Sequence, residues 1–543
     1  MRPSSRWHWV VLLALLPAVL TVALPDWVYS QSDYIDAWVY HGFFRHLETY
    51  AGGMFPRTYY GSRLGWIVPG YVAYHLFSPR IATVVLHLTF YSVAVSSVYL
   101  IARRISNASS ALFGAVAFGL YLPAIRSLGS DYVDGAVITY GLASVALGLH
   151  GIERVRPWAV VASGAAAGAM LHSNIGAVLV LPSILVWFVP NRREDWLDRS
   201  FMRTALQWAL GIAACTIALS LISMMTGGTW DFFMQSVRWL QTYRFQNPWD
   251  VEGLSWVGQS PWLFLPLATL VAAVIDWFRR RNEITDGQIR AVASLGLIIG
   301  IFALWDFVGT GSVLYWPFYA SWLIPWTFLV IGSVLIPAAA RAGVDAAILL
   351  VSTLALAGSL AWPPDGGIPG FGFIGLMTTV GLMVVAVLSR NAAAGRVLFL
   401  ISLVLLNHWV PMSNLYPPRQ DRADAFGAID RGVRIIERYA PVAQPRFLLT
   451  PPGRLDKYIQ GLTSVYLWGY TIASSDFPGL TPVQAATISP GAMVIIISER
   501  PDAAEPFDRV FAPYHLQGVH KGAERLDTAL GPIYLTFLEA RAS

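Results

Sequence analysis

The sequence predicts a polytopic α-helical membrane protein, with about 13 transmembrane helices and a small C-terminal extracytoplasmic α/β domain. Three observations carry that expectation. The 543 residues are 55% hydrophobic and only 13% charged, with a mean hydropathy of +0.53. A soluble chain could bury such a composition only in several large cores. Apolar runs long enough to cross roughly 30 Å of hydrocarbon recur along the first three quarters of the chain. Finally, residues 419–543 hold 13 Lys+Arg and 13 Asp+Glu, so the whole net charge of +5 belongs to residues 1–418. This divides the chain into a membrane region, 1–418, and a water-soluble domain, 419–543.

Taken in order, the apolar runs fall near residues 7–25, 81–102, 108–125, 132–152, 158–171, 175–190, 204–226, 261–278, 291–308, 313–338, 345–361, 370–389 and 395–411. The first follows Arg2 and Arg6 like the charged start of a signal peptide. No small, regular cleavage site precedes Asp26, so it is expected to remain as an anchor. With the N-terminus in the cytoplasm, 17 of the 24 basic residues before position 419 fall in inner loops, as the positive-inside rule requires. The expected location is therefore the inner (cytoplasmic) membrane. The tail, a long first loop (26–80) and a second (227–260) lie on the outer side, and function is expected there.

The tail alternates a helical pattern at Ala425–Tyr439, an apolar strand at Arg446–Thr450, a helix near Lys457–Trp468 and strands at Met493–Ser498 and Ile533–Glu539. No glycine-rich phosphate loop follows any of these strands, so a nucleotide site there has no support. The pI of 9.2 reflects arginines spread over inner loops rather than one soluble basic face, and nucleic acid is not an expected partner. A single cysteine, Cys215, excludes an intramolecular disulfide framework and any Cys-based metal site.

Polar residues beside lipid are costly and require a reason. In the first outer loop Asp33 and Asp36 are either a helix cap with an acidic first turn or include a general base for an acceptor bound from outside. Asp131 and Asp134, three residues apart, share a helix face at the outer end of the third and fourth spans. They are capping carboxylates, or they bind a substrate hydroxyl or a metal. His172-Ser173-Asn174 interrupts an otherwise apolar stretch, and Asp306 sits near the outer end of the ninth span. Of the seven outward arginines, Arg63, just after Tyr60-Gly61-Ser62, is the first choice for binding a phosphate bidentately, and Arg126 is the second.

An outer Asp after span one, a second acidic motif after span three, about 13 spans and an outer C-terminal domain together resemble the GT-C superfamily of membrane glycosyltransferases. The protein O-mannosyltransferases and the aminoarabinose transferases of lipid A have this layout. The family's first loop has an Asp followed four residues later by Tyr. Asp36 and Tyr40 match that spacing and Asp33 does not, which favours Asp36 as the base. The acid that usually follows is replaced by Ala37, and the usual Lys-Pro-Pro-Leu-like element by Gly61-Ser62-Arg63-Leu64. Asp131 to Gly135 and His172 to Asn174 look like the corresponding runs of bacterial family 39-type members. Tyr315-Trp316-Pro317 is similar to a Tyr-rich segment that closes the family's lipid-facing cavity.

The resemblance implies a polyprenyl phosphate-linked sugar donor entering from the outer leaflet. The sugar passes, with inversion, to a hydroxyl on a protein, glycan or lipid acceptor. It places Asp36 or Asp33 as base and Arg63, Arg126 and Tyr60 at the donor phosphate. Asp131, Asp134, His172, Asn174, Asp306 and Tyr315 are expected around the substrates. Some members use a divalent metal ion, and Asp131, Asp134 and His172 are the residues available to hold one. A lipid or glycan transporter or flippase is the alternative, although transporters place their polar breaks near the bilayer midplane rather than at one face.

Overall fold

The computed structural model describes residues 6–24, 26–29, 35–51, 59–130, 132–190, 198–245, 263–279, 283–308, 313–314, 317–337, 422–440, 446–449, 458, 461–462, 465, 471–473, 490–499, 501 and 515–542. A helix stands at each of the first ten expected spans. Five are long and apolar enough to cross a membrane: Pro79–Ile105, Val133–Glu153, Arg199–Met225, Asp286–Phe307 and Phe318–Leu335. Ala108–Leu120 and Leu122–Leu128 make a sixth if the pair, bent by 69°, is one broken span. The bend falls at Tyr121, which is extended (φ −78°, ψ 118°) two residues before Pro123, whose ring and missing N–H prevent the first helix from continuing. The expected spans at 345–361, 370–389 and 395–411 lie outside the described residues, as do Asp33, Asp131 and Tyr315.

Local chemistry sets the helix ends. Pro79 and Pro157 sit in the first turn, where a missing N–H costs nothing. Asn107 and Asp198 cap the helices that follow them by accepting from Ser110 N (2.9 Å) and Ser200 N (3.3 Å). Arg103 and Arg104 complement the dipole at the C-terminal end of Pro79–Ile105.

Without a hydrophobic drive between helices inside lipid, close packing selects small residues at crossings. Gly164 and Gly168, four apart, let Pro157–Ser173 lie directly on Arg199–Met225. A Cβ at Gly164 would stand 1.9 Å from the Trp208 carbonyl oxygen, and one at Gly211 would stand 2.0 Å from that of Val161. The opposite face of Arg199–Met225 exposes Leu206, Leu210, Ile217, Leu221 and Met224, a stripe suited to lipid.

Near the C-terminus, helix Arg422–Tyr439 accompanies a five-stranded sheet made of β1 (Arg446–Leu449), β2 (Thr471–Ala473), β3 (Met493–Ser498), β4 (Leu516–Thr528) and β5 (Gly531–Ala542). Its order is β2-β1-β3-β5-β4, parallel between β2, β1 and β3 and antiparallel from β3 to β5 to β4. β3 is buried along its whole length, which is why its apolar run is legible in sequence. β2 and β4 were not anticipated. β4 is an edge strand dense in charge, with Lys521, Glu524, Arg525 and Asp527, so its composition reads as a loop although such charges protect a sheet edge. The expected helix near Lys457–Trp468 is described only at residues 458, 461, 462 and 465, all helical.

Candidate active site

Two segments of the first loop build the centre of the site. Helix Ile35–Arg45 starts with Asp36 in its first turn. Tyr40, four residues on, shares the face of Asp36. Downstream, Arg63 N donates to the Tyr60 carbonyl oxygen (3.2 Å), and the Arg63 carbonyl oxygen accepts from Trp66 N and Ile67 N (both 3.0 Å). This turn into helix Leu64–Leu76 folds Tyr59 and Tyr60 back toward the Arg63 side chain. The start of that helix is fixed from below. Tyr140 donates to the Gly65 carbonyl oxygen (3.2 Å), and a Cβ at Gly65 would lie 2.2 Å from the Ala169 carbonyl oxygen.

The Arg63 guanidinium is enclosed by aromatic rings. Its central carbon lies 3.9 Å from the Tyr59 ring centre, 5.4 Å from Tyr132, 5.8 Å from Tyr40 and 5.9 Å from Tyr60. Nη1 donates to the Tyr40 hydroxyl. The residue is 1% exposed, and its Nε and Nη2 are buried with no hydrogen-bond partner among the described residues. No carboxylate lies within 4.0 Å of it among those residues. A buried cation without a counter-charge is ordinarily destabilising by several kcal/mol. The tyrosine faces offset part of that cost, and two free donors remain to receive an anion with oxygen acceptors.

Asp36 stands beside this cage, half-buried. The Tyr60 hydroxyl donates to its Oδ1 at 2.7 Å, and among the described residues Asp36 makes no other hydrogen bond. Burial, reinforced by the Asp36 charge, pushes the Tyr60 phenol far above its ordinary pKa, so it stays a donor at any physiological pH. Burial likewise raises Tyr40.

The second acidic motif closes the far side. Asp134, 2% exposed, accepts from Trp322 Nε1 at 3.1 Å, and it feels the attraction of Arg63 and the repulsion of Asp36. Tyr132 contributes a ring to the Arg63 cage, with Phe318 5.5 Å from it. Tyr319 packs edge-on between Phe318 and Trp322, with ring centres 4.7 Å and 5.4 Å away. Phe318 thus stands beside the site, whereas Tyr315, expected there, lies outside the described residues.

The other expected residues are dispersed. His172 pairs through Nε2 with Thr216 Oγ1 (2.7 Å) and packs on Phe232 and Phe233. Asn174 caps the short helix after it by accepting from Gly176 N (2.9 Å), and its Nδ2 is buried without a partner among the described residues. Arg126 lies in the last turn of Leu122–Leu128, beside Ser127 and Leu128, against which Gly135 packs. Asp306 accepts from the backbone N–H groups of Val313 (2.9 Å) and Leu314 (2.8 Å), so its carboxylate is engaged in fixing the loop after its own span. Among the described residues no group of three or more His, Cys, Asp or Glu could hold a metal ion.

Reasoning from sequence selected Asp36, Tyr60, Arg63 and Asp134 but missed Tyr59, Tyr132, Tyr319 and Trp322. The spacing of Tyr59, Tyr60 and Arg63 was the available signal for the first, whereas the others come from spans far away in sequence.

No protein-family model matches the chain, and no curated protein matches it. Among solved structures, ArnT from Cupriavidus metallidurans bound to undecaprenyl phosphate is similar over 98% of both chains, at 15% identity and a TM-score of 0.59. The apo form of that protein gives 16% identity and a TM-score of 0.54 over the same shares. The apo oligosaccharyltransferase of Archaeoglobus fulgidus covers 99% of this chain and 75% of its own, at 11% identity and a TM-score of 0.50. The chain therefore shares the fold of these solved proteins.

Proposed function

We propose that this protein is an integral-membrane glycosyltransferase that moves a sugar from a polyprenyl phosphate donor to an acceptor hydroxyl. In this reading it lies in the inner membrane with the site and tail on the outer side, and completes its 13 spans through the segments around 345–411. The observation that carries the reading is Arg63: a buried guanidinium in a tyrosine cage, with two donors that have no partner among the described residues, beside a carboxylate held by Tyr60. The fold shared with a protein that binds undecaprenyl phosphate supports the same donor class.

Arg63 receives the donor phosphate with Nε and Nη2, which point along one edge of the guanidinium and suit two phosphate oxygens. As the bond between the anomeric carbon and the phosphate oxygen breaks, its electron pair stays on the phosphate. Arg63 then stabilises the charge that develops there. The acceptor oxygen attacks the opposite face of the sugar, giving inversion. Asp36 takes the hydroxyl proton late, once the carbon has become cation-like, so a carboxylate of ordinary basicity suffices. In this reading Asp134 binds a hydroxyl of the substrates, and a divalent ion could assist Arg63 at the phosphate.

The test is transfer in membranes supplied with a radiolabelled polyprenyl phosphate sugar pool. Asp36→Asn should lower transfer by about 100-fold or more while donor binding persists. Near-normal transfer by that variant would sink Asp36 as the base. Donor-independent movement of the lipid across vesicles would favour a flippase instead.

A further inference from the structure

Helix Ile35–Arg45 presents two working faces. Asp36 and Tyr40 look toward the Arg63 cage, while Trp38, His41 and Arg45, spaced by three and four residues, look toward the tail helix Arg422–Tyr439. The rings of Trp38 and His41 lie 5.8 Å and 5.4 Å from that of Phe426. Arg45 spans two carboxylates of the tail helix, with Nη1 on Asp430 Oδ1 and Nη2 on Glu437 Oε2, both at 2.9 Å. His46 Nε2 meets the other oxygen of Glu437 at 2.8 Å, and the Tyr50 hydroxyl donates to the Val465 carbonyl oxygen. The Arg45, Asp430 and Glu437 side chains are 11%, 10% and 19% exposed, so these are not solvent-screened surface pairs.

An 11-residue helix has little stability of its own. Its direction must come from what it packs on: helix Leu64–Leu76, where Phe44 meets Trp66 and Tyr74 and His41 meets Tyr74, and the tail, which grips its last residue, Arg45. We infer that Arg45 is a positioning residue: by gripping Asp430 and Glu437 it makes the C-terminal domain a part that aims Asp36, rather than only a cover over the site. The lever is long. Asp36 is nine residues from Arg45, about 13 Å along the helix, so a tilt of roughly 4° about Arg45 displaces it by about 1 Å. A displacement of that size can cost on the order of 100-fold in rate. The inference rests on the glycosyltransferase reading for its rate consequence, but the docking itself does not.

The experiment uses the full chain in proteoliposomes and compares Arg45→Met, Arg45→Lys, the double variant Asp430→Asn/Glu437→Gln, and all three neutralising changes together. Three readouts are taken: transfer from the labelled donor pool, binding of undecaprenyl phosphate, and hydrogen exchange of amides 35–45. Arg45→Met and the double variant should each lower kcat by roughly 10- to 100-fold, with undecaprenyl phosphate affinity changed by no more than about threefold. Their combined loss should fall well short of the product of the two, because both remove the Arg45 contact, the double variant in addition weakening His46–Glu437 and Arg434–Asp430. Arg45→Lys, which keeps the charge, should recover part of the rate. Amides 35–45 should exchange faster in both neutral variants. Unchanged kcat in Arg45→Met, or losses that multiply in the combination, overturns the inference. If Arg45→Met does not insert, the double variant, which keeps the shapes of both side chains, decides alone. Should the wild-type protein transfer no sugar while exchange still rises in the variants, the glycosyltransferase reading falls and the docking stands. If exchange does not rise, the positioning role falls.

Discussion

The Tyr60 hydroxyl donates to Asp36 Oδ1 at 2.7 Å, joining residues 24 apart on the two limbs of the first loop. This bond fixes the rotamer of the carboxylate and leaves its second oxygen for an acceptor. Tyr60→Phe keeps the ring in the Arg63 cage and removes the tether to Asp36. It should lower kcat by roughly tenfold with little change in donor KM, a loss of about 1.4 kcal/mol of transition-state stabilisation. Steady-state kinetics with varied donor measures the split.

Arg63 is not interchangeable with lysine. Its Nη1 is committed to Tyr40, and only a planar fork can keep that bond while offering two further donors to an anion. Both Arg63→Lys and Arg63→Gln should weaken undecaprenyl phosphate binding, the second by about 10- to 100-fold, as expected for loss of one or two charge-assisted hydrogen bonds. Quenching of the buried aromatics on titration of the lipid would report it.

Asp134 and Trp322 separate packing from chemistry. Asparagine at 134 retains a carbonyl oxygen for Trp322 Nε1, so Asp134→Asn should insert and melt like the wild type but transfer sugar more slowly. Asp134→Ala should leave the buried indole N–H unpaired and lower stability by about 1–3 kcal/mol. Thermal denaturation of the purified variants, read beside transfer rates, distinguishes the two effects.

The tail contact carries a pH signature. The Glu437 carboxyl, although burial alone would raise it, is held down to about 2 by His46 and Arg45, against an ordinary 4.5. Because the folded value is the lower one, the stabilisation is complete above about pH 4.5 and is lost as pH falls toward about 2. The Tm difference between wild type and Glu437→Gln should therefore be largest near neutrality and shrink below about pH 4.5. A difference that grows on acidification would contradict the pairing.

Glycines at close approaches provide a steric test. Gly65→Ala would drive a methyl group toward the Ala169 carbonyl oxygen and Ser173 Oγ, at 2.2 Å and 2.7 Å, and should cost about 1–3 kcal/mol together with transfer activity, because Arg63 enters the same turn. Gly300→Ala, with nothing within 4 Å of the added carbon, should leave stability unchanged or raise it by up to about 1 kcal/mol. Melting temperatures of the two variants make the comparison.

The sequence by itself determined what depends on neighbours along the chain. Apolar runs placed ten helices, because crossing lipid demands an uninterrupted apolar stretch with its backbone bonded internally. The fully buried β3 declared itself in the same way, whereas the edge strand β4, charged for protection, did not. Polar residues that no lipid-facing helix would tolerate marked Asp36, Arg63 and Asp134. The tertiary structure alone decided what those residues meet. It brought Tyr132 from a distant span to the cage around Arg63, and it engaged Asp306 in holding its own loop. It also set Arg45 against Glu437, 392 residues away. Such contacts leave no periodic trace, since each partner satisfies only its own local pattern, and the charge pairing between them exists only once the tail has docked.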